Sequence, residues 1–250
     1  MTEETMAEEP VVDAGPEFTL MTDAFSEMLR PVESDWKSEG APNWRRVPGF
    51  PVYATGQPSK ADVEKCVEQA TKKYDEQKQV IWVSLRQEPV VYINGAPYSV
   101  RKSDNLAGHI VLNEAFEINN IENKMASELK KNGDFKYCKD LVGEREQEKS
   151  PEYKLESGRA DSVNTVSEVF GFASKKEAKL EFKKIPLELN AAPSDETFDT
   201  FVRLLKNQGS AVPVIFNCQG GMGRSSTAAV IAGIIKEAQL EAEFKKMQGK

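Results

Sequence analysis

The sequence predicts an α/β fold with a largely parallel central sheet flanked by helices. Short apolar runs, QVIWVSL and VPVIFN, read as buried strands bounded by polar residues, and LEFKKI is a further strand candidate. Between them lie longer segments whose apolar residues recur at helical spacing. Strands that alternate with helices are joined by crossovers, and crossovers make parallel sheets. The chain of 250 residues is long enough for one large domain or two small ones.

Taken in order, residues 1–40 read as an acidic, disordered arm, with a short helical pattern around residues 22–29. They hold 11 Asp and Glu against 2 Lys and Arg, a net of −9. The whole chain is −7, so residues 41–250 carry +2 and form a nearly neutral body. That body lacks the basic stripe of a nucleic-acid binder. The segment RRVPGFPVYATGQPS is too rich in Pro and Gly for a long element and reads as a loop with an extended piece at Val52–Ala54. Ser59 caps a helix whose stripe is Val63, Cys66, Val67, Ala70 and Tyr74, which makes Cys66 a core residue. After the strand QVIWVSL, Asn94-Gly95 separates two β-prone runs and predicts a tight hairpin. Residues 118–131 read as a helix stopped by Asn132-Gly133, and 143–163 as a polar surface connection. Ser194 caps a further helix, with Asp195 and Glu196 in its first turn and Phe198, Phe201, Val202 and Leu205 as its buried face. The strand VPVIFN follows, and from Ser225 the chain reads as one long helix.

The three cysteines, Cys66, Cys138 and Cys218, are far apart and odd in number. No disulfide framework and no paired metal ligands can be read from them, so no metal or cofactor is expected, and the compartment reads as reducing and cytoplasmic. No apolar stretch approaches the roughly 20 residues of a membrane span.

The chemistry concentrates in VIFNCQGGMGRSST, where a strand ends at Cys218, five residues follow, and Arg224 opens a helix. Gly220, Gly221 and Gly223 allow successive N–H groups to turn inward as an anion nest, and the helix N-terminus adds partial positive charge. Arg224 can fork two N–H bonds onto one phosphate. The same field would hold Cys218 largely as thiolate, able to attack phosphorus, with Ser225 hydrogen-bonded to the sulfur. A buried strand-end thiol before a glycine turn is the other reading of these residues. Gly221, Gly223 and Ser226 also approach a dinucleotide fingerprint, but no strand with an acidic residue follows.

NCQGGMGRSS resembles the Cys-x5-Arg signature of the protein tyrosine phosphatase superfamily. RRVPGFPVYATGQPS, VIWVSLRQEPVVYINGAPYSVR and FKKIPLELNAAPSDETFDTFV resemble, in the same order, segments of the paladin and protein tyrosine phosphatase-like phytase family. The resemblance runs from about residue 43 to 240 and implies a protein tyrosine phosphatase-like fold over residues 41–250, truncated at its C-terminal end. It places the nucleophile on Cys218, the phosphate arginine on Arg224, the hydroxyl on Ser225 and the phosphate-binding amides on Gln219, Gly220, Gly221, Met222 and Gly223. Two positions depart from the pattern. Asn217 stands where the superfamily often has His. Leu189 stands where active relatives carry a general-acid Asp, which leaves Glu188, one residue away, as a substitute candidate.

His109, the only histidine, reads as a structural residue rather than a ligand. Cys138 reads as structural rather than as a resolving thiol, and Arg86 as either a cleft cation or a surface ion pair. The expected function is a cysteine-dependent phosphatase that forms a phosphocysteine on an inositol phosphate, phosphoinositide or phosphotyrosine. The expected partners are a phosphorylated small molecule, lipid headgroup or phosphoprotein, with no nucleic acid. Two alternatives stand beside it: a pseudophosphatase that binds phosphate without turnover, and a sulfur-transfer enzyme of rhodanese kind.

Overall fold

A computed structural model describes residues 17–23, 41–72, 79–139, 155–173 and 179–249. The strands are β1 (Phe18–Thr22), β2 (Arg45–Arg46), β3 (Val52–Thr55), β4 (Gln79–Ser84), β5 (Val90–Ile93), β6 (Ala96–Lys102), β7 (Asp134–Cys138), β8 (Leu155–Arg159), β9 (Val163–Thr165), β10 (Lys179–Lys184) and β11 (Val214–Asn217). The helices are α1 (Lys60–Thr71), α2 (Ala115–Asn132), α3 (Val166–Ala173), α4 (Asp195–Leu205) and α5 (Gly223–Met247).

Five strands form the central sheet in the order β10-β4-β11-β3-β2. The first four are mutually parallel, and β2 pairs antiparallel with β3. Side chains alternate faces along each strand, so both faces must be covered. Val80, Trp82 and Ile215 face α1 and α3, packing on Val63, Cys66, Ala70, Val169 and Phe170. Ile81, Val83, Val214 and Phe216 face α4 and α5, packing on Phe201, Leu205, Ala228 and Ala232. Six strands form a second sheet, β8-β7-β1-β6-β5-β9, antiparallel except where β1 runs beside β7. Helix α2 lies against it through Met125, Ala126 and Leu129. The expected α/β fold with a largely parallel central sheet holds; β2 makes that sheet mixed, and a second, mostly antiparallel sheet joins it.

Local signals act as their chemistry dictates. The Ser59 hydroxyl accepts the Asp62 N–H and donates to the Asp62 carboxylate, closing the first turn of α1. The Ser194 hydroxyl accepts the Thr197 N–H at α4. Asn94 and Gly95 take φ of 52° and 82° between β5 and β6, and Gly133 ends α2 at φ 72° with its N–H on the Leu129 carbonyl.

Several expectations need correction. The arm expected over residues 1–40 contains β1, whose Leu20 and Met21 are buried. Its partners, β6 and β7, are distant in sequence, so no local signal announces it. Thr22, the start of the expected short helix, belongs to that strand, and residues 24–29 and Tyr74 lie outside the described residues. Within the expected surface connection of 143–163, residues 155–159 are β8, and its last residue opens β9; both strands extend the second sheet. On α4, Phe201 and Leu205 are buried while Phe198 and Val202 are about two-fifths exposed. At about 100° per residue, the outer pair sits about 60° round the helix from the inner pair, off its buried face.

Candidate functional site

Strand β11 delivers Cys218 to the carboxyl edge of the central sheet, and residues 218–222 join it to α5. The Cys218 N–H donates to the Thr55 carbonyl, and the side chain is almost wholly buried. Its Sγ accepts the Gly221 N–H at 3.2 Å and lies 3.5 Å from Ser225 Oγ. The next carbonyls turn away from the sulfur, each toward a donor on the segment 43–57. Gln57 N–H takes the Gln219 carbonyl at 2.9 Å, and Asn43 Nδ2 takes that of Gly220 at 2.6 Å. The Arg45 guanidinium takes that of Gly221 and also donates to Ser226 Oγ. In a trans peptide the N–H points opposite its carbonyl. Carbonyls held outward therefore turn the N–H groups of Gly220, Gly221 and Met222 inward, the polarity of an anion nest. Met222 precedes α5 and gives it no side-chain cap, so the helix's first-turn N–H groups face the same space.

Gly221 has φ +76°, and a Cβ there would lie 2.3 Å from the Gly56 nitrogen. At Gly56 a Cβ would lie 2.8 Å from the Gln219 carbonyl oxygen. Two glycines thus let two backbones touch, which no other residue would permit. Asn217 fills the position of the superfamily's histidine with its own network. Its Oδ1 accepts the Trp82 indole N–H at 2.8 Å, and its Nδ2 donates to Gln57, which donates on to the Tyr92 hydroxyl.

Arg224 projects from the first turn of α5 and is buried. Its terminal nitrogens lie 3.0–3.3 Å from both carboxylate oxygens of Glu88, and Nη1 reaches the Leu85 and Leu187 carbonyls at 3.4 Å. Among the described residues, its Nε is buried without a hydrogen-bond partner. A guanidinium N–H left over beside inward-facing amides is a donor that an oxyanion could accept from. Burial pushes the Glu88 carboxyl up, but Arg86 and Arg224 outweigh it and bring it down to about 2. Arg86 lies neither in the cleft nor at the surface. It is buried between Asp23 and Glu88, and although burial opposes its charge, the two carboxylates hold it protonated.

The loop 185–194 begins at the site, because the Leu187 N–H donates to Leu85 and its carbonyl accepts from Arg224. Glu188 and Leu189 follow on its exposed side, Leu189 half-exposed. Cys138 lies in β7 opposite Met21, and burial raises its thiol's pKa; Cys66 sits in the core and is raised further by burial and Asp62. Burial and Arg101 lower His109 to about 4, so it is neutral near pH 7. Sequence reasoning missed Asn43, Arg45, Gly56, Gln57 and Glu88. The signal for Glu88 was present: a second charge two residues from Arg86, a few residues past the largely apolar strand β4.

The family model for protein tyrosine phosphatase-like phytases, described by the term inositol hexakisphosphate, matches residues 83–236. Paladin of Xenopus tropicalis is 27% identical over 227 residues, which are 89% of this chain but 24% of that protein, so the chain spans about a quarter of that relative's length. Among solved structures, the tandemly repeated protein tyrosine phosphatase-like phytase of Mitsuokella multacida superposes with TM-score 0.61 at 18% identity, over 90% of this chain and 37% of that one. The myo-inositol phosphatase of the same organism, in complex with myo-inositol-(1,3,4,5)-tetrakisphosphate, superposes with TM-score 0.53 at 16% identity, over 88% and 35%. At such identities these likenesses speak to the fold, and the matched model speaks to the family. The chain belongs to the protein tyrosine phosphatase-like phytase family.

Proposed function

We propose that the chain is a cysteine phosphatase domain acting on a phosphomonoester, with an inositol phosphate as the leading substrate class. The outward-held carbonyls of Gln219, Gly220 and Gly221 carry this reading, because they leave an inward ring of N–H groups around Cys218. In the proposed reaction the Cys218 sulfur attacks phosphorus. The S–P bond forms as the bond to the alcohol oxygen breaks, and that oxygen takes a proton. Water then attacks the phosphocysteine, the S–P bond breaks, inorganic phosphate leaves and the thiolate returns. The inward amides and Arg224 would hold the equatorial oxygens through both steps. Ser225 Oγ, 3.5 Å from Sγ, can donate to the departing thiolate. The tetrakisphosphate held by the Mitsuokella relative supports an inositol phosphate. A cytoplasmic setting suits a free thiol.

One observation favours a second reading, that of a phosphate-binding module without useful turnover. Leu189 cannot supply the leaving-group proton, and the exposed Glu188 is the nearest carboxyl along the loop. Positioned acid catalysis contributes roughly 10²–10⁴-fold, so its loss leaves a slow enzyme confined to good leaving groups. Hydrolysis of an aryl phosphate, an inositol phosphate, a phosphoinositide and a phosphopeptide by wild type, Cys218→Ser and Glu188→Gln separates the two. Turnover abolished by Cys218→Ser supports the phosphatase. Equal rates for wild type and Cys218→Ser sink it. Tight phosphate binding by an inactive wild type supports the module.

A further inference from the structure

From its contacts we infer that Asp23, delivered by the N-terminal strand, is a positioning residue that clamps both ends of the phosphate loop. The inference rests on the reading of residues 218–224 as an anion cradle. Asp23 follows directly on β1 and is buried. Its Oδ1 accepts Gln219 Nε2 at 3.2 Å, across 196 residues of sequence, and also accepts the Ser99 hydroxyl. Its Oδ2 accepts from the Arg86 guanidinium. Arg86 Nε donates to Glu88 Oε2 at 3.2 Å, its Nη2 donates to Ser99 Oγ at 3.0 Å, and Glu88 holds both terminal nitrogens of Arg224. These contacts close a ring. It leaves Asp23 through Gln219, runs along the loop to Arg224, and returns through Glu88 and Arg86 to Asp23.

Two features make this ring more than packing. It grips the residue immediately after Cys218 and the arginine that ends the motif, so the span between sulfur and guanidinium is set from outside the loop. It is also balanced, with Asp23 and Glu88 against Arg86 and Arg224, all buried. Buried charges hold their geometry only while every partner is present. The strand that delivers Asp23 pairs with β6 and β7, so the acidic N-terminal region supplies part of the site's rigidity.

The charge of Asp23 gives the test a sign. A carboxylate near an anion site that acted only through its charge would repel phosphate, and Asp23→Asn would then tighten phosphate binding. A positioning residue predicts the opposite. Titration of the intact chain with inorganic phosphate and with orthovanadate, followed by calorimetry, reads this without turnover. Asp23→Asn should weaken both ligands about 10- to 100-fold, the span expected when a hydrogen bond to a charged group is lost. Gln219→Ala, which leaves every ion pair intact, should weaken them about 3- to 10-fold, and the double variant should lose less than the product of the two losses. Leu129→Ala, in the core of the second sheet, should lower the melting temperature without moving either affinity. Unchanged or tighter binding by Asp23→Asn overturns the inference and leaves the cradle standing, as does a loss matched by Leu129→Ala. If Asp23→Asn does not fold, wild-type affinity in Gln219→Ala overturns it equally. Wild type that binds neither anion overturns the cradle and this inference together.

Discussion

Glu88→Gln tests the electrostatics of the site most directly, because one carboxylate serves two buried guanidinium groups. Its folded pKa of about 2 lies well below the ordinary 4.5. At about 1.4 kcal/mol per pKa unit, the difference corresponds to about 3 kcal/mol of stability at neutral pH. Breaking a buried ion pair by removing one partner costs about 3–5 kcal/mol, which agrees. A depressed carboxyl pKa contributes fully above the unfolded value, and its contribution disappears as pH falls from about 4.5 toward 2. Urea unfolding followed by circular dichroism should therefore show Glu88→Gln less stable than wild type by about 3 kcal/mol at pH 7. The gap should narrow steadily below pH 4.5 as wild type takes up the proton that the amide never needs. Phosphate affinity should fall with it, since Arg224 loses the carboxylate that fixes its plane. A gap under about 1 kcal/mol at pH 7, or one that stays constant down to pH 2.5, refutes the assigned network.

Other perturbations probe different parts of the molecule. Gly221→Ala places a Cβ against the Gly56 backbone at positive φ. The left-handed cost alone is about 1–2 kcal/mol, and phosphate-dependent thermal stabilisation should vanish. His109 is held below its ordinary pKa of 6.5, at about 4, by burial and by Arg101. The unfolded chain binds its proton first, so wild type should lose stability as pH falls from about 6.5 to 4, and His109→Asn should flatten that slope in a melting-temperature series. Leu189→Asp puts a carboxyl where relatives carry their acid. Single-turnover assays should show a gain of about tenfold or more on an alkyl phosphate and a smaller one on an aryl phosphate. Leu205→Ala, wholly buried against Phe216 and its neighbours, should cost about 2–5 kcal/mol in urea unfolding, whereas Val202→Ala on the exposed flank should cost under about 1.

What was legible in the sequence is what short-range chemistry controls. The caps at Ser59 and Ser194, the Asn94-Gly95 hairpin and the glycine stop at Gly133 each satisfy backbone groups within four residues of themselves. The strand–Cys218–glycine–Arg224–helix order is likewise contiguous, so the sequence by itself determined where the proposed phosphate loop lies and which side chains it carries. Tertiary structure alone decided which partners shape that loop. Its carbonyls are drawn outward by Asn43, Arg45 and Gln57, its arginine is fixed by Glu88, and its Gln219 is tied to Asp23. Those partners arrive through β-strand pairing between segments far apart in the chain, as when β11 lies beside β3 and β1 beside β6. A strand's place is settled by the neighbours that take its hydrogen bonds, and β1 shows this: within an acidic stretch its five residues carry no signal, yet once paired they bury Leu20 and Met21 and bring a carboxylate to the site.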